Sequence, residues 1–352
     1  MSRLTSTVAV LVALLVAACA APDDLGQAPE PDAPDDAGQE DLEEEDAGQG
    51  DAGPDDPAVL RLYTSVTEET VEAVTAAFEE RQPDVELEVF RAPTGELNAR
   101  VAAERREGEI QADIFWLTDP LSMQPFAEEG LLRSWTPDAV DSLPAVFSTD
   151  TFWGTRLLNL VIVAHSDLDD PPTAWSDLAD PDHVDDVGFP DPGFAGSAFG
   201  ALGYFALEDE FGFDFYEALV ANGLTQVDAP GEVVAGVAEG RFDAGMTLDQ
   251  AARNAVEAGS PIELIWPEPG AIVVDSPIAV LDHTAAPQHA EAFVEFVLSV
   301  EAQEHIAATG WQPVHPDATW PHEDGPTVAP DWEASFERHD ELLEEYRALI
   351  GG

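Results

Sequence analysis

Lysine is absent from this 352-residue chain, and thirteen arginines are its only strong bases. Against 72 Asp and Glu they leave a formal charge of −59. That balance excludes nucleic acid as a natural partner, because phosphate binding needs clustered Lys and Arg. It also disfavours direct adhesion to anionic lipid. One cysteine, Cys19, leaves no disulfide to form and no redox pair. The four tyrosines, Tyr63, Tyr204, Tyr216 and Tyr346, include no adjacent pair. The histidines are scattered, and His283, His289, His305 and His315 read as surface or internally satisfied residues. No Gly-x-Ser-x-Gly elbow, phosphate loop or His-Glu-x-x-His is present, so an enzyme has no motif to stand on. Carboxylate pairs are inevitable in so acidic a chain and signal nothing. No internal repeat supports a structural surface protein.

What is present begins with an unbroken apolar run from Val8 to Ala18, behind the basic start Met1-Ser2-Arg3. It is shorter than the roughly 20 residues a spanning helix needs and has the length of a signal-peptide core. Val16-Ala17-Ala18-Cys19 resembles a lipobox, which makes Cys19 the expected lipidation site and 1–19 a lipoprotein signal peptide. Residues 20–57 hold 15 acids, no base and no aromatic or β-branched residue, so they read as a disordered, self-repelling tether. The acids outside the tether give the folded part a surface of the halophilic type, expected to be most stable in salt.

From Ala58 onward short apolar strands alternate with amphipathic helices. Strands are expected over Val59–Tyr63, Val85–Phe90 and Asp113–Trp116, with helices from Thr67 to about Arg81 and from Thr94 to about Gly108. Thr67 reads as the first helix's N-cap. This order argues a parallel sheet with right-handed crossovers. Trp153–Ala164 reads as one long buried strand. Then come a strand at 187–189, helices over Ser197–Leu207, Phe213–Ala221 and Gly231–Glu239, a strand at Asp243–Met246, a helix at Asp249–Ala258 and a strand at Ile262–Trp266. A second long apolar stretch spans 270–281, before helices at 287–299 and 301–308. Two long strands flanking an inserted α/β unit suggest two lobes joined by crossover strands that act as a hinge. A last Glu-rich helix over about Asp331–Leu349 is expected to pack on the outside.

The segments Tyr63-Thr64-Ser65-Val66-Thr67-Glu68-Glu69, Thr94-Gly95-Glu96-Leu97 and Ala112-Asp113-Ile114-Phe115-Trp116 carry a resemblance. So do Ala174-Trp175-Ser176-Asp177-Leu178, Asp191-Pro192 through Gly196-Ser197-Ala198, and Gly259-Ser260-Pro261-Ile262-Glu263. In this order and spacing, from about residue 58 to 315, the chain resembles bacterial extracellular solute-binding proteins of ABC importers, related to the ferric-ion and 2-aminoethylphosphonate binders. The resemblance implies an α/β, two-lobed periplasmic-binding-protein-like fold of type II. Lobe 1 would comprise 58–155 plus about 276–315, lobe 2 about 156–275, and 316–352 would be a tail outside it. It further implies a lipid-anchored, extracytoplasmic monomer that is not an enzyme and delivers a small molecule or ion to a membrane permease. The alternatives are a binding protein that senses its ligand for a receptor, and a hydrolase.

In open α/β sheets ligands lie at the carboxyl ends of the strands. Thr64, Ser65 and Thr67 follow the first strand, Thr94, Gly95 and Glu96 the second, and Thr118 and Asp119 the third. In the other lobe Gly196-Ser197 opens a helix, where free N–H groups hold anions, and Thr247 and Asp249 follow the strand that ends at Met246. Each alone is equally a helix cap or local charge. Ferric binders of this kind carry adjacent tyrosines after that strand, where this chain has Thr247-Leu248-Asp249-Gln250. Glu96 and Asp249 remain as candidates for a cation, so a metal ion enters as cargo and no cofactor is expected. Ala195 replaces a Ser that relatives use in the anion-binding turn. Arg156 and Asn159, on the first crossover strand, are then the best anion partners, unless Arg156 merely pairs with a nearby acid.

Overall fold

The structure, a computed structural model, describes residues 57–351; the signal peptide, Cys19 and all but the last residue of the tether lie outside the described residues. The first α/β run is β1 (Ala58–Thr64), α1 (Glu68–Arg81), β2 (Val85–Arg91), α2 (Thr94–Glu107), β3 (Ile114–Trp116) and α3 (Pro120–Glu128). Short 3-10 turns then lead to the 13-residue β4 (Trp153–His165). The inserted unit follows as β5 (Val187–Pro190), α4 (Gly196–Leu207), α5 (Gly212–Ala221), β6 (Thr225–Val227), α6 (Pro230–Ala238), β7 (Ala244–Leu248), α7 (Asp249–Glu257) and β8 (Ile262–Ile265). The chain returns through β9 (Ala271–Val280), α8 (Pro287–Leu298) and α9 (Val300–Ala308). It ends with β10 (Gln312–Pro313), β11 (Thr327–Val328), α10 (Trp332–Glu337) and α11 (His339–Ile350).

One sheet runs through the whole body in the order β2-β1-β3-β9-β4-β7-β5-β6. β1 pairs in parallel with β2 and β3 at one end, and β5 in parallel with β6 and β7 at the other. Between them β9 and β4 form an antiparallel pair, each also antiparallel to its outer neighbour. These are the two crossover strands the sequence pattern called for. Eleven of the twelve residues from Trp153 to Ala164, Leu157 alone excepted, are buried, which is why their hydrophobicity is continuous rather than alternating.

Three local readings are corrected. The helix α3, between Pro120 and Glu128, was hidden by Pro120 and Pro125; Asp119 caps it, accepting from Ser122 N at 2.7 Å, with Pro120 favourably placed in its first turn. Thr67 stands at the N-cap of α1, but its hydroxyl makes no cap bond and meets Thr70 at 2.9 Å instead. The expected single outer helix is two, broken at Arg338, and it is not peripheral: Leu342 and Tyr346 are buried and belong to the main core. Its charged residues mark only the solvent face of an amphipathic α11.

Candidate functional site

At the carboxyl ends of the three parallel strands of the first half, hydroxyls converge. Ser65 Oγ lies 3.3 Å from Thr118 Oγ1, which lies 3.1 Å from Thr94 Oγ1, so the loops after β1, β3 and β2 are tied in that order. Thr64 is committed elsewhere: its buried hydroxyl donates to Trp116 O at 2.7 Å and accepts from Val66 N. Glu96 sits in the first turn of α2 and is exposed. Asp119 is buried; burial raises its pKa, opposed by bonds from Ser122 N and Oγ.

The second half meets this edge directly. Gly95 N donates to Phe194 O at 3.3 Å, a backbone bond between the start of α2 and the loop before α4. A Cβ on Gly196 would collide with the Asp119 carboxylate, so only glycine lets the N-terminus of α4 approach this closely. Ser197, beside it, is buried within the first turn of α4. A cavity of about 320 Å³ lies along the seam, lined by Thr94, Gly95, Asp119 and Gly196 among others. Thr94, Gly95 and Asp119, expected from strand-end position, and Gly196, expected as a helix start, therefore share one chamber.

Behind the seam, on the crossover strands, lies a polar cluster. Asp249 is buried, ion-paired with Arg253 at 2.8 Å, and accepts from Asn159 Nδ2 at 3.2 Å. Burial raises its pKa and Arg253 opposes the rise. Asn159 Nδ2 also donates to Gln312 Oε1 at 2.9 Å. Thr247 is spent within the second half, donating to Pro230 O at 2.8 Å. Glu96 and Asp249 are thus not a pair, and among the described residues no group of three acids, histidines or cysteines is placed to hold a metal. The tyrosines do not substitute: burial pushes Tyr63 up to about 12 and Tyr216 well above its ordinary value, so neither offers a phenolate near neutral pH.

Arg156 is the exceptional group. Its side chain is 1% exposed, and its guanidinium lies 4.2 Å over the Trp311 ring. Among the described residues neither Nε nor Nη1 has a hydrogen-bond partner, and no carboxylate pairs with it. Burial, with Arg91 nearby, lowers its pKa to about 9, which still leaves it cationic at neutral pH. A buried cation without a counter-charge costs several kcal/mol, so the proposed pairing with a nearby acid does not account for it. Trp311 also donates to Thr67 Oγ1 at 3.2 Å and so ties this cation to the first loop. Asp275, on β9, is a second buried charge-bearing group; burial lifts it to about 7 and Asp119 adds to the rise.

Sequence reasoning missed Trp311, Gln312, Arg253 and Asp275. Arg253 carried a weak signal, four residues after Asp249 on one helix face; the others become visible only when the chain returns to the crossover strands.

A continuous sheet passing through two α/β halves, with polar strand ends facing across a seam, defines a two-lobed binding protein of type II. The chain belongs to the family of bacterial extracellular solute-binding proteins, whose model matches residues 60–312. A putative 2-aminoethylphosphonate-binding periplasmic protein from Salmonella paratyphi A is 26% identical, the match covering 62% of this chain and 67% of that one. Among solved structures, the periplasmic binding protein AfuA of Actinobacillus pleuropneumoniae, with exogenous fructose-6-phosphate bound, superposes with a TM-score of 0.73 at 21% identity, over 84% of this chain and 99% of the other. Iron-bound HitA of Pseudomonas aeruginosa gives 0.70 at 21% identity, over 83% and 99%. The chain is thus a solute-binding protein of the ABC-importer type, from an extracytoplasmic family whose named relatives bind rather than transform their ligands. Among the described residues no helix is long and apolar enough to cross a membrane.

Proposed function

We propose that this protein captures a small organic anion, of the phosphonate or phosphate-ester class, between its two lobes and passes it to an ABC permease, while lipidated Cys19 and the acidic tether hold it at the outer face of the membrane. The lobes are 58–155 with about 276–315, and about 156–275. The observation that carries the reading is Arg156, a buried guanidinium with two nitrogens that have no hydrogen-bond partner among the described residues. An anion bound there replaces the missing counter-charge and makes charge-assisted hydrogen bonds that a neutral solute cannot. The chemistry named for the aminophosphonate-binding relative and for the fructose-6-phosphate complex of AfuA agrees with such an anchor. The absence of adjacent tyrosines speaks against ferric ion held by phenolates.

Ligand first meets the hydroxyls of Ser65, Thr94 and Thr118. Closure then brings Gly196 and Ser197 against it, and only contacts better made in the closed form drive that shift. Titration calorimetry with 2-aminoethylphosphonate, fructose 6-phosphate, inorganic phosphate and ferric citrate tests the assignment. An organic phosphonate or phosphate ester should bind, and Arg156→Gln should weaken it about 10- to 100-fold, as loss of a charged hydrogen bond implies. Binding of ferric citrate alone, or equal affinity in Arg156→Gln, would remove the anion reading.

A further inference from the structure

Beyond Gln312 the chain runs past the span that the family model matches, and it stays closely engaged with the body. β11 runs parallel to β9, Thr327 opposite Ala271. α10 then packs between α3 of the first half and α4 of the second, and α11 packs on α4 and α5. The seat on α4 is close: a Cβ at Gly203 would collide with Ser335 Oγ, and Tyr346 meets Tyr216 edge-on at 5.3 Å. At the seam, the His339 ring lies 4.5 Å from that of Phe199, and Arg347 reaches over Gly193. His339 and Arg347 line the same 320 Å³ chamber as Thr94, Asp119 and Gly196. Phe336, on α10, faces Leu121 and Phe126 of α3 across an adjoining cavity of about 440 Å³.

We propose that the C-terminal helices are a third wall of the ligand chamber: they strap the two halves together and present Arg347 to the ligand as a specificity-determining contact. The assignment of ligand contact rests on the reading above, that an organic anion is held between the two lobes. Two walls come from the lobes, and a solute between them also meets whatever α11 places at the opening. Among the described residues Arg347 makes no ion pair, although Asp191 Oδ1 flanks the same Gly193 and Asp340 lines the same chamber. Because α10 touches both α3 and α4, the lobes cannot separate at the seam without pulling α10 off one of them.

The strap is tested without any ligand. The Gly95 amide, which bonds across the seam to Phe194 O, reports opening through its hydrogen exchange. Phe336→Glu, on the side facing α3, and Trp332→Ala, at the residue that packs on Gly200 of α4, should each in the full chain speed exchange at Gly95 at least 10-fold while β4 amides keep their protection. The specificity contact is tested by the Kd of 2-aminoethylphosphonate and fructose 6-phosphate: Arg347→Gln should raise it at least fivefold, with Arg347→Lys recovering part. Unchanged Gly95 exchange in both strap variants, with β4 still protected, overturns the strap. Wild-type affinity in Arg347→Gln, alongside lost binding in Arg156→Gln, overturns the specificity contact and leaves the Arg156 anchor standing. If no probe binds the wild type, the anion reading and with it the Arg347 contact fall, and Gly95 exchange alone decides the strap.

Discussion

Two buried ionisable groups on the crossover strands set the chemistry at the scale of single residues. Arg156 is held in the fold without a counter-charge among the described residues. Replacing even a paired set of buried charges by apolar side chains of similar volume is often neutral or stabilising by about 1–4 kcal/mol, and Arg156 has no pair to lose among the described residues. Arg156→Met is therefore expected to raise the melting temperature of the ligand-free protein while abolishing anion binding, a split that calorimetry and a thermal melt together reveal; a large loss of stability would mean that the cation already has its partner inside the protein. Asp275 works in the opposite sense. Its carboxyl titrates near 7 in the folded protein against 3.8 ordinarily. The folded state holds the proton that the unfolded chain releases, so the stability tied to this group is whole below about pH 4 and is lost as pH rises through 7. At 1.36 kcal/mol per unit the loss is on the order of 4 kcal/mol. Asp275→Asn should remove most of that decline between pH 5 and 8, and an unchanged stability profile would show that other groups govern it.

Elements divide by how far local pattern determines them. The strands β1, β2, β4 and β9 and the helices from α4 to α9 follow from apolar periodicity and sit within a few residues of where that periodicity puts them. α3 does not, because two prolines argue locally against a helix that a cap and a buried face then form. α11 was legible as a helix and illegible in its position, since its many glutamates describe one face and Leu342, Leu343 and Tyr346 another. The strand-end rule brings Thr94, Gly95 and Asp119 to one edge, where they line the seam cavity with Gly196, because a parallel sheet fixes where its loops emerge. It could not find the isolation of Arg156, which depends on which acids the fold keeps away, nor the part played by Trp311 and Arg347. Leu342→Ala distinguishes a core helix from an outer one: fully buried, it should cost about 2–5 kcal/mol in denaturant unfolding. A loss below about 0.5 kcal/mol would return the tail to the surface.

Over the whole molecule the excess of carboxylates is scarcely answered. Most of the arginine pairs, such as Arg61 with Glu88 and Arg338 with Glu341, join half-exposed side chains, and such pairs contribute little. The remaining acids repel across the surface, and the Debye length falls from about 30 Å at 0.01 M salt to about 3 Å at 1 M. Melting temperature should accordingly climb between those concentrations of sodium chloride; a flat response would show that repulsion does not limit stability. The sheet that unites the two halves has one irregularity, between Gly154 and Leu157, where Thr155 and Arg156 of β4 stand against Ser276 alone of β9. Such a bulge disrupts the ladder locally and bends and twists the strand. The guanidinium proposed as the anion anchor sits in this bulge, on the strand pair that joins the two halves. Tension from a bound solute would be felt first as twist in the joint, and only afterwards as travel of the distant rims.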